Sequence, residues 1–335
     1  MHDGHRAVVP RADRDAAAER SALPVSRVSV DFVRRVPIAF ARRFGVGLTC
    51  SEMISARALV HRARVMFRRA RPAEGERPYA VQLADHDPAI LAEAARTVEG
   101  EGLADIVDLN MGCPSRTVVG SGNGAALLRT PELIAAIVRA VRQATTLTLS
   151  VKLRLGWDDQ TRNHLDVTRI CEEEGADFLV VHGRTRTQMF SGRSDWTAIG
   201  EVKAARKIPV VGNGDVTSAE AARRLLAQAA CDGVMIARGV FGDPWLIERI
   251  LKNDDSLNPG PEERCALALE HLALQCAYDG ETQGVKKLRK HLAWYVRGLA
   301  GAAVFRKRAM TIPDRAGVER EVRRFFAELT GTPAS

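Results

Sequence analysis

The chain has 335 residues, 46% of them hydrophobic and 27% charged, with a formal net charge of +8 at pH 7. That length and apolar content suit one large domain plus a small one. The six cysteines (Cys50, Cys113, Cys171, Cys231, Cys265, Cys276) form neither a CxxC nor a zinc-type Cys/His spacing, which excludes a disulfide framework and a metal site and favours a reducing compartment.

Taken in chain order, the first 35 residues are rich in Arg and Ala, and only a weak alternation at Val28, Val30 and Phe32 suggests a strand. Short apolar runs then recur: VGLTC (46–50), YAVQL (79–83), IVDLN (106–110), LTLSVKL (147–153), FLVVH (178–182), IPVVG (208–212) and DGVMI (232–236). Each reads as a strand buried on both faces. Between them lie helical patterns such as 88–102 and 131–145, with starts marked by Asp87 and Thr130 ahead of prolines. Alternating strands and helices mean a parallel sheet.

Seven such runs fit a TIM barrel with one strand unaccounted for, or an open doubly wound sheet. GSGNG at 120–124 does not match the dinucleotide fingerprint, and the barrel is the preferred fold. Beyond the NDDSLNPGPEE linker at 253–263 the sequence is helical only. Leu288, Leu292, Tyr295 and Leu299 share one helical face, with Lys286, Lys290 and Arg297 opposite. From Thr282 to Pro313 there is no acidic residue among eight basic ones, a one-signed patch suited to a polyanion. The expected organisation is a divergent segment over 1–35, a barrel over 36–254 and a small all-helical C-terminal domain over 255–335. No apolar run reaches membrane-spanning length, and the Arg-rich start lacks a signal-peptide core, so a cytoplasmic protein without a membrane partner is expected.

A barrel places its chemistry where strands run into the following loops. Polar residues at those points are Gln82, Asn110, Cys113, Lys152, His182, Arg184, Asn213 to Asp215, and Arg238. Such groups are costly inside apolar runs unless something uses them, and Lys152 in LSVKLRLG has no acidic neighbour in sequence. VVGNGDV and MIARGVFGD each follow a strand with glycines at a helix start, an arrangement that holds phosphates, and Arg238 adds a bidentate donor. A lone cysteine is usually a small buried hydrophobe, but Cys113 sits between Gly112 and Pro114 in a loop. There it reads as a nucleophile, which needs a nearby base such as His182, or as an acid, which needs no activation at neutral pH.

DLNMGCPS, SVKLRLGW, VVHGRTRTQMFSG, DWTAIGEVK, IPVVGNGDV, GVMIARGVFGDPWLI and RKHLAWYVRGL, taken together over about residues 42–299, resemble the tRNA-dihydrouridine synthase family, in its bacterial B-type form. The resemblance implies an FMN-binding TIM barrel and reduction of the 5,6 double bond of a tRNA uridine at the expense of NADPH or NADH, with Cys113 as general acid. It implies flavin contacts from Gln82, Lys152, His182, Asn213, Gly214, Asp215, Ala237 and Arg238. Asn110, Arg116, Arg184, Lys286, Lys290 and Arg297 are expected on the tRNA side, the helical stripe being the main grip. A monomer without metal is expected.

Two departures from the family pattern stand out. The loop after Cys113, SRTVVGSG, keeps only Arg116 where the family carries lysines, and the first-strand APM-G-T type motif is missing. RVSVDF (27–32) is the candidate to fill the first-strand place, with weaker flavin binding as a consequence; a start read in the wrong frame is the other explanation. Two further functions stay open: an FMN barrel acting on a small substrate, which the basic helical stripe argues against, and a flavin-deficient RNA-binding relative.

Overall fold

The structure, a computed structural model, describes residues 28–31 and 42–331. The apolar runs form parallel strands: β1 (Val28–Asp31), β2 (Leu48–Cys50), β3 (Ile54–Ser55), β4 (Tyr79–Ala84), β5 (Ile106–Met111), β6 (Thr148–Arg154), β7 (Phe178–His182), β8 (Val210–Asn213) and β9 (Gly233–Ile236). Pairing runs from β1 through β2, β4, β5, β6, β7, β8 and β9 back to β1, with the short β3 beside β4. The fold is therefore a closed TIM barrel and not an open doubly wound sheet.

Closure depends on β1. Ser29 and Val30 pair with Leu48 and Thr49 of β2, while Val28 and Ser29 pair with Val234 and Met235 of β9. Without it, two strand edges would present unpaired backbone groups. The weakly alternating segment thus occupies the first-strand place; Arg27 and Phe32, with most of the 1–35 segment, lie outside the described residues.

Side-chain alternation sorts the strands into an outer and an inner face. Val81, Leu83, Val107, Leu109, Val151 and Leu153 point outward and pack on the helices. A separate inner cluster of Leu48, Ala80, Ile106, Phe178, Val211 and Met235 fills the lumen near the strand starts. Continuing in steps of two toward the strand ends, the same inner face turns polar: Gln82, Asp108, Asn110, Ser150, Arg154, His182 and Asn213, all buried. That change along one face places the site.

The helix starts follow the sequence cues by two routes. Asp87 Oδ1 accepts from the amides of Ala89 and Ile90, whereas Thr130 makes no side-chain cap and leaves Pro131 to begin its helix. After the barrel, helices Pro261–Asp279, Glu281–Tyr295, Ala302–Ala309 and Arg315–Thr330 bury a core of their own around Leu272, Leu288, Leu292, Phe305, Val322 and Phe325. They dock where the chain leaves β9: Phe241 stacks on Trp294 at 4.5 Å, and Phe44 and Trp245 pack against the helical core. Gly242, at φ +74°, lets the backbones approach, since a Cβ there would lie 2.4 Å from the Trp294 carbonyl carbon. The basic helix ends at Tyr295, so Arg297 lies in the following turn and not on the helix face the projection gave it. Among the described residues no helix is long and apolar enough to cross a membrane.

Candidate active site

The polar end of the lumen is wired from β4 to β6. Gln82 donates through Nε2 to Asp108 Oδ2 at 2.7 Å and accepts at Oε1 from Asn110 Nδ2 at 2.6 Å. Ser150 Oγ donates to the other Asp108 oxygen at 2.5 Å. Asn110 then turns its Oδ1 to the amide of Cys113 at 3.0 Å. Its side chain, expected on the substrate side, also braces the cysteine loop, with one Nδ2 hydrogen given to Gln82 and Oδ1 shared between the Gly112 and Cys113 amides.

Cys113 is half-buried, whereas Cys50, Cys171, Cys231 and Cys276 are fully buried. Burial pushes the Cys171 thiol up to about 12, which makes it inert at neutral pH. The Cys113 carbonyl accepts from Ala125 N at 3.1 Å. Gly124, at φ +61°, has no room for a side chain: a Cβ would sit 2.8 Å from that carbonyl oxygen. Among the described residues no hydrogen bond joins Cys113 to His182.

Arg154 was not foreseen as a site residue. It is 2% exposed, and its guanidinium spans three loop carbonyls: Gly112 at 2.9 Å from Nε, and Thr185 and Met189 at 2.8 Å from one terminal nitrogen. Burial lowers it to about 10, and the nearby Arg184 pushes the same way. The signal was available, because Arg154 stands two residues from Lys152 on the same strand and therefore on the same face.

From β6 round to β9 runs a cation-rich wall. Lys152 Nζ donates to Asn213 Oδ1 at 3.4 Å, and Asn213 Nδ2 donates to the Met235 carbonyl at 2.8 Å. His182 is held far below the ordinary histidine range, first by burial and then by the charges of Lys152, Arg154, Arg184 and Arg238. Arg238 opens the turn Arg238–Val240 just after Ala237, and its guanidinium lies 4.4 Å from the centroid of the half-exposed Phe190. It pairs with no carboxylate among the described residues.

Arg184, expected on the tRNA side, is 2% exposed: one terminal nitrogen donates to both Asp215 oxygens at 2.8 Å and to the Gly192 carbonyl at 2.8 Å, while Nε donates to the Ser191 carbonyl at 3.0 Å. Asp215 also accepts from the Ser194 amide at 2.7 Å. The pair locks the loop after β7 onto the turn after β8. Gly214, at φ +117°, is needed there, since a Cβ would collide with Ser194 Oγ at 2.4 Å. Its carbonyl accepts from Trp196 Nε1 at 3.1 Å.

Of the residues expected on the tRNA side, Arg116 is exposed on the short helix Arg116–Gly120 after the cysteine loop. Lys286 and Lys290 are exposed on the helix Glu281–Tyr295 and Arg297 is exposed in the turn after it, with Lys290 Nζ 5.7 Å from the Trp294 ring centroid. Two other cations of the patch are tied down, Lys287 to Asp279 at 2.6 Å and Arg289 to the Ile312 carbonyl at 2.9 Å. Among the described residues no group of His, Cys, Asp and Glu is arranged to hold a metal ion.

A family model described as dihydrouridine synthase matches residues 24–330. A probable tRNA-dihydrouridine synthase of Rickettsia conorii is 39% identical over 296 residues, covering 87% of this chain and 89% of that protein. The tRNA-dihydrouridine synthase B of Pseudomonas aeruginosa is 38% identical over 291 residues, covering 86% and 87%. Among solved structures, a 2-naphthoyl-CoA reductase complex superposes with a TM-score of 0.54 at 11% identity, covering 68% of this chain and 50% of that one. Histamine dehydrogenase from Rhizobium sp. 4-9 gives 0.52 at 14% identity, covering 67% and 44%. These two speak to the barrel fold alone.

Proposed function

The chain belongs to the dihydrouridine synthase family, and from that premise we propose that it is a cytoplasmic tRNA-dihydrouridine synthase that reduces the 5,6 double bond of a tRNA uridine with FMN and NADPH or NADH. The observation that carries the reading is a thiol held in a braced loop at the mouth of a barrel whose wall from β6 to β9 is cationic. That wall fits a flavin nucleotide: Arg238 has no carboxylate partner among the described residues, and Lys152, the neutral His182 ring and the Asn213–Gly214 turn offer donors beside it. Lys152, His182, Asn213, Gly214, Ala237 and Arg238 would hold it, with Gln82 beneath, while Asp215 serves by keeping Arg184 and the turn in place. When bound, the flavin supplies the hydride.

The remaining work falls to the chain. Cys113 keeps a proton at Sγ and delivers it to the second carbon of the uracil double bond, as a general acid. Asn110 and Arg154 fix the loop from its amide and carbonyl sides, so that the thiol stands at one place. The target uridine must leave its stack to reach this depth, which requires a firm hold on folded RNA. The helical region 255–335 provides that hold through Lys286, Lys290 and Arg297, with Arg116 nearer the mouth. The barrel, 36–254, carries the chemistry.

Cys113→Ala tests the reading. Flavin reduction by NADPH and tRNA affinity are expected to stay near wild type, while single-turnover oxidation of the reduced enzyme by tRNA slows by about 100-fold to 10,000-fold. An unchanged oxidation rate would remove Cys113 from the reaction.

A further inference from the structure

The mouth of the barrel carries a second basic feature that neither the thiol nor the cationic wall uses. Trp157, in the loop after β6, has two guanidiniums over its ring: Cζ of Arg129 is 4.9 Å from the ring centroid, and Cζ of Arg186 is 4.6 Å. The three residues come from the connections after β5, β6 and β7. Two backbone bonds stitch the last two loops together, from Arg186 N to the Gly156 carbonyl and from Thr187 N to the Trp157 carbonyl, both 2.9 Å. The stack is thus built on fixed backbone.

Its electrostatics are incomplete within the protein. Neither guanidinium pairs with a carboxylate or donates a hydrogen bond among the described residues, and Arg186 Nε is buried without a partner. The acids of the same loop are already engaged. Asp158 accepts from Thr161 Oγ1 at 2.8 Å and from the amides of Gln160 and Thr161, and Asp159 faces Arg162 at 3.0 Å. Each arginine is attracted to the indole ring, yet the two like charges repel one another. A stack of that kind is completed by an anion.

We propose that the Arg129–Trp157–Arg186 stack is a second contact for tRNA, made to its phosphate backbone. The inference rests on the tRNA reading above and extends it to where the RNA lies. In the ring of strands β6 stands opposite β1, whereas the C-terminal helices dock beside β9, where Trp294 covers Phe241 and carries Lys290 with it. The RNA therefore bridges the mouth, held by the helical stripe on one side and by the stack on the other. A uridine drawn out between two anchored stretches of backbone enters the lumen beside Cys113. Arginine suits the task, because its planar fork stacks on the ring while its outward edge pairs with phosphate oxygens.

The test is equilibrium binding of an unmodified tRNA transcript over a series of salt concentrations, using wild type, Arg129→Gln/Arg186→Gln and the control Arg139→Gln. Arg139 is exposed on the outer helix Pro131–Ala144 and pairs with Glu174. Loss of two phosphate contacts is expected to lower the log–log salt slope by about two and to weaken binding at least about tenfold at low salt, with the control unchanged. A charge-reversed Arg129→Glu/Arg186→Glu pair is expected to bind more weakly still, with an unchanged melting temperature as evidence of folding. Equal slope and affinity in wild type and the glutamine pair would overturn the second contact while leaving the tRNA reading intact. Absence of binding by wild type would overturn the tRNA reading, and the second contact with it.

Discussion

Replacing Arg154 with methionine tests whether one buried guanidinium organises the mouth of the barrel. The side chain fills a similar volume but cannot hold the carbonyls of Gly112, Thr185 and Met189. Hydrogen bonds from a charged donor contribute about 1.5–3 kcal/mol each, so the gross loss is roughly 5–9 kcal/mol. Part is regained, because burial holds Arg154 down to about 10 from the usual 12.5 and the charge therefore costs roughly 3 kcal/mol in the folded state. The net is a destabilisation of roughly 2–6 kcal/mol. At about 2 °C per kcal/mol, the lower end of the range for chains somewhat smaller than this one, the melting temperature should fall by about 4–12 °C. Since the Gly112 carbonyl is one residue from the thiol, uridine reduction in single turnover should slow by about 100-fold, the cost of a small misplacement of a catalytic group. A variant that melts within about 2 °C of wild type and reduces tRNA within about threefold of its rate would show that Arg154 braces neither loop.

Two other perturbations follow from the same geometry. Truncation at residue 24 keeps β1, whereas truncation after Asp31 removes its three register pairs with β2 and three with β9; with ladder bonds worth about 1 kcal/mol each, the second form should melt well below the first, and equal melting would mean that β1 closes nothing. His182 is neutral in the folded state far below its unfolded pKa of about 6.5, so as pH falls through about 6.5 the unfolded chain gains a proton the folded one refuses and stability drops. His182→Asn should flatten that fall between about pH 7 and 5 in chemical denaturation, and an unaltered pH dependence would place the drop elsewhere.

The barrel was legible because its strands are buried on both faces and read as unbroken apolar runs. β3 was not, being only Ile54 and Ser55, and β1 left only a weak alternation. What makes β1 a strand is the gap between β2 and β9, a long-range demand that no local pattern carries. The cysteine loop could be picked out from Gly112 and Pro114, and Lys152 from its cost inside an apolar strand. Arg154 escaped notice although it repeats that cost two residues on. The burial of Arg184 is not readable from its own loop, because its partner is Asp215, 31 residues further along the chain. Arg297 was carried past the helix end for a similar reason: the apolar period continues to Leu299, but the helix stops at Tyr295 and Gly298 takes φ +80°.

The central claim is tested most directly by the nucleosides themselves. Purified protein supplied with FMN and NADPH is incubated with an unmodified tRNA transcript, and the digested RNA is analysed by mass. The account predicts that one or a few defined uridines gain the mass of two hydrogens, and that the gain is strongly reduced with Cys113→Ala. A wild-type protein that holds flavin, is reduced by NADPH and binds the tRNA, yet leaves every uridine unchanged, would contradict it.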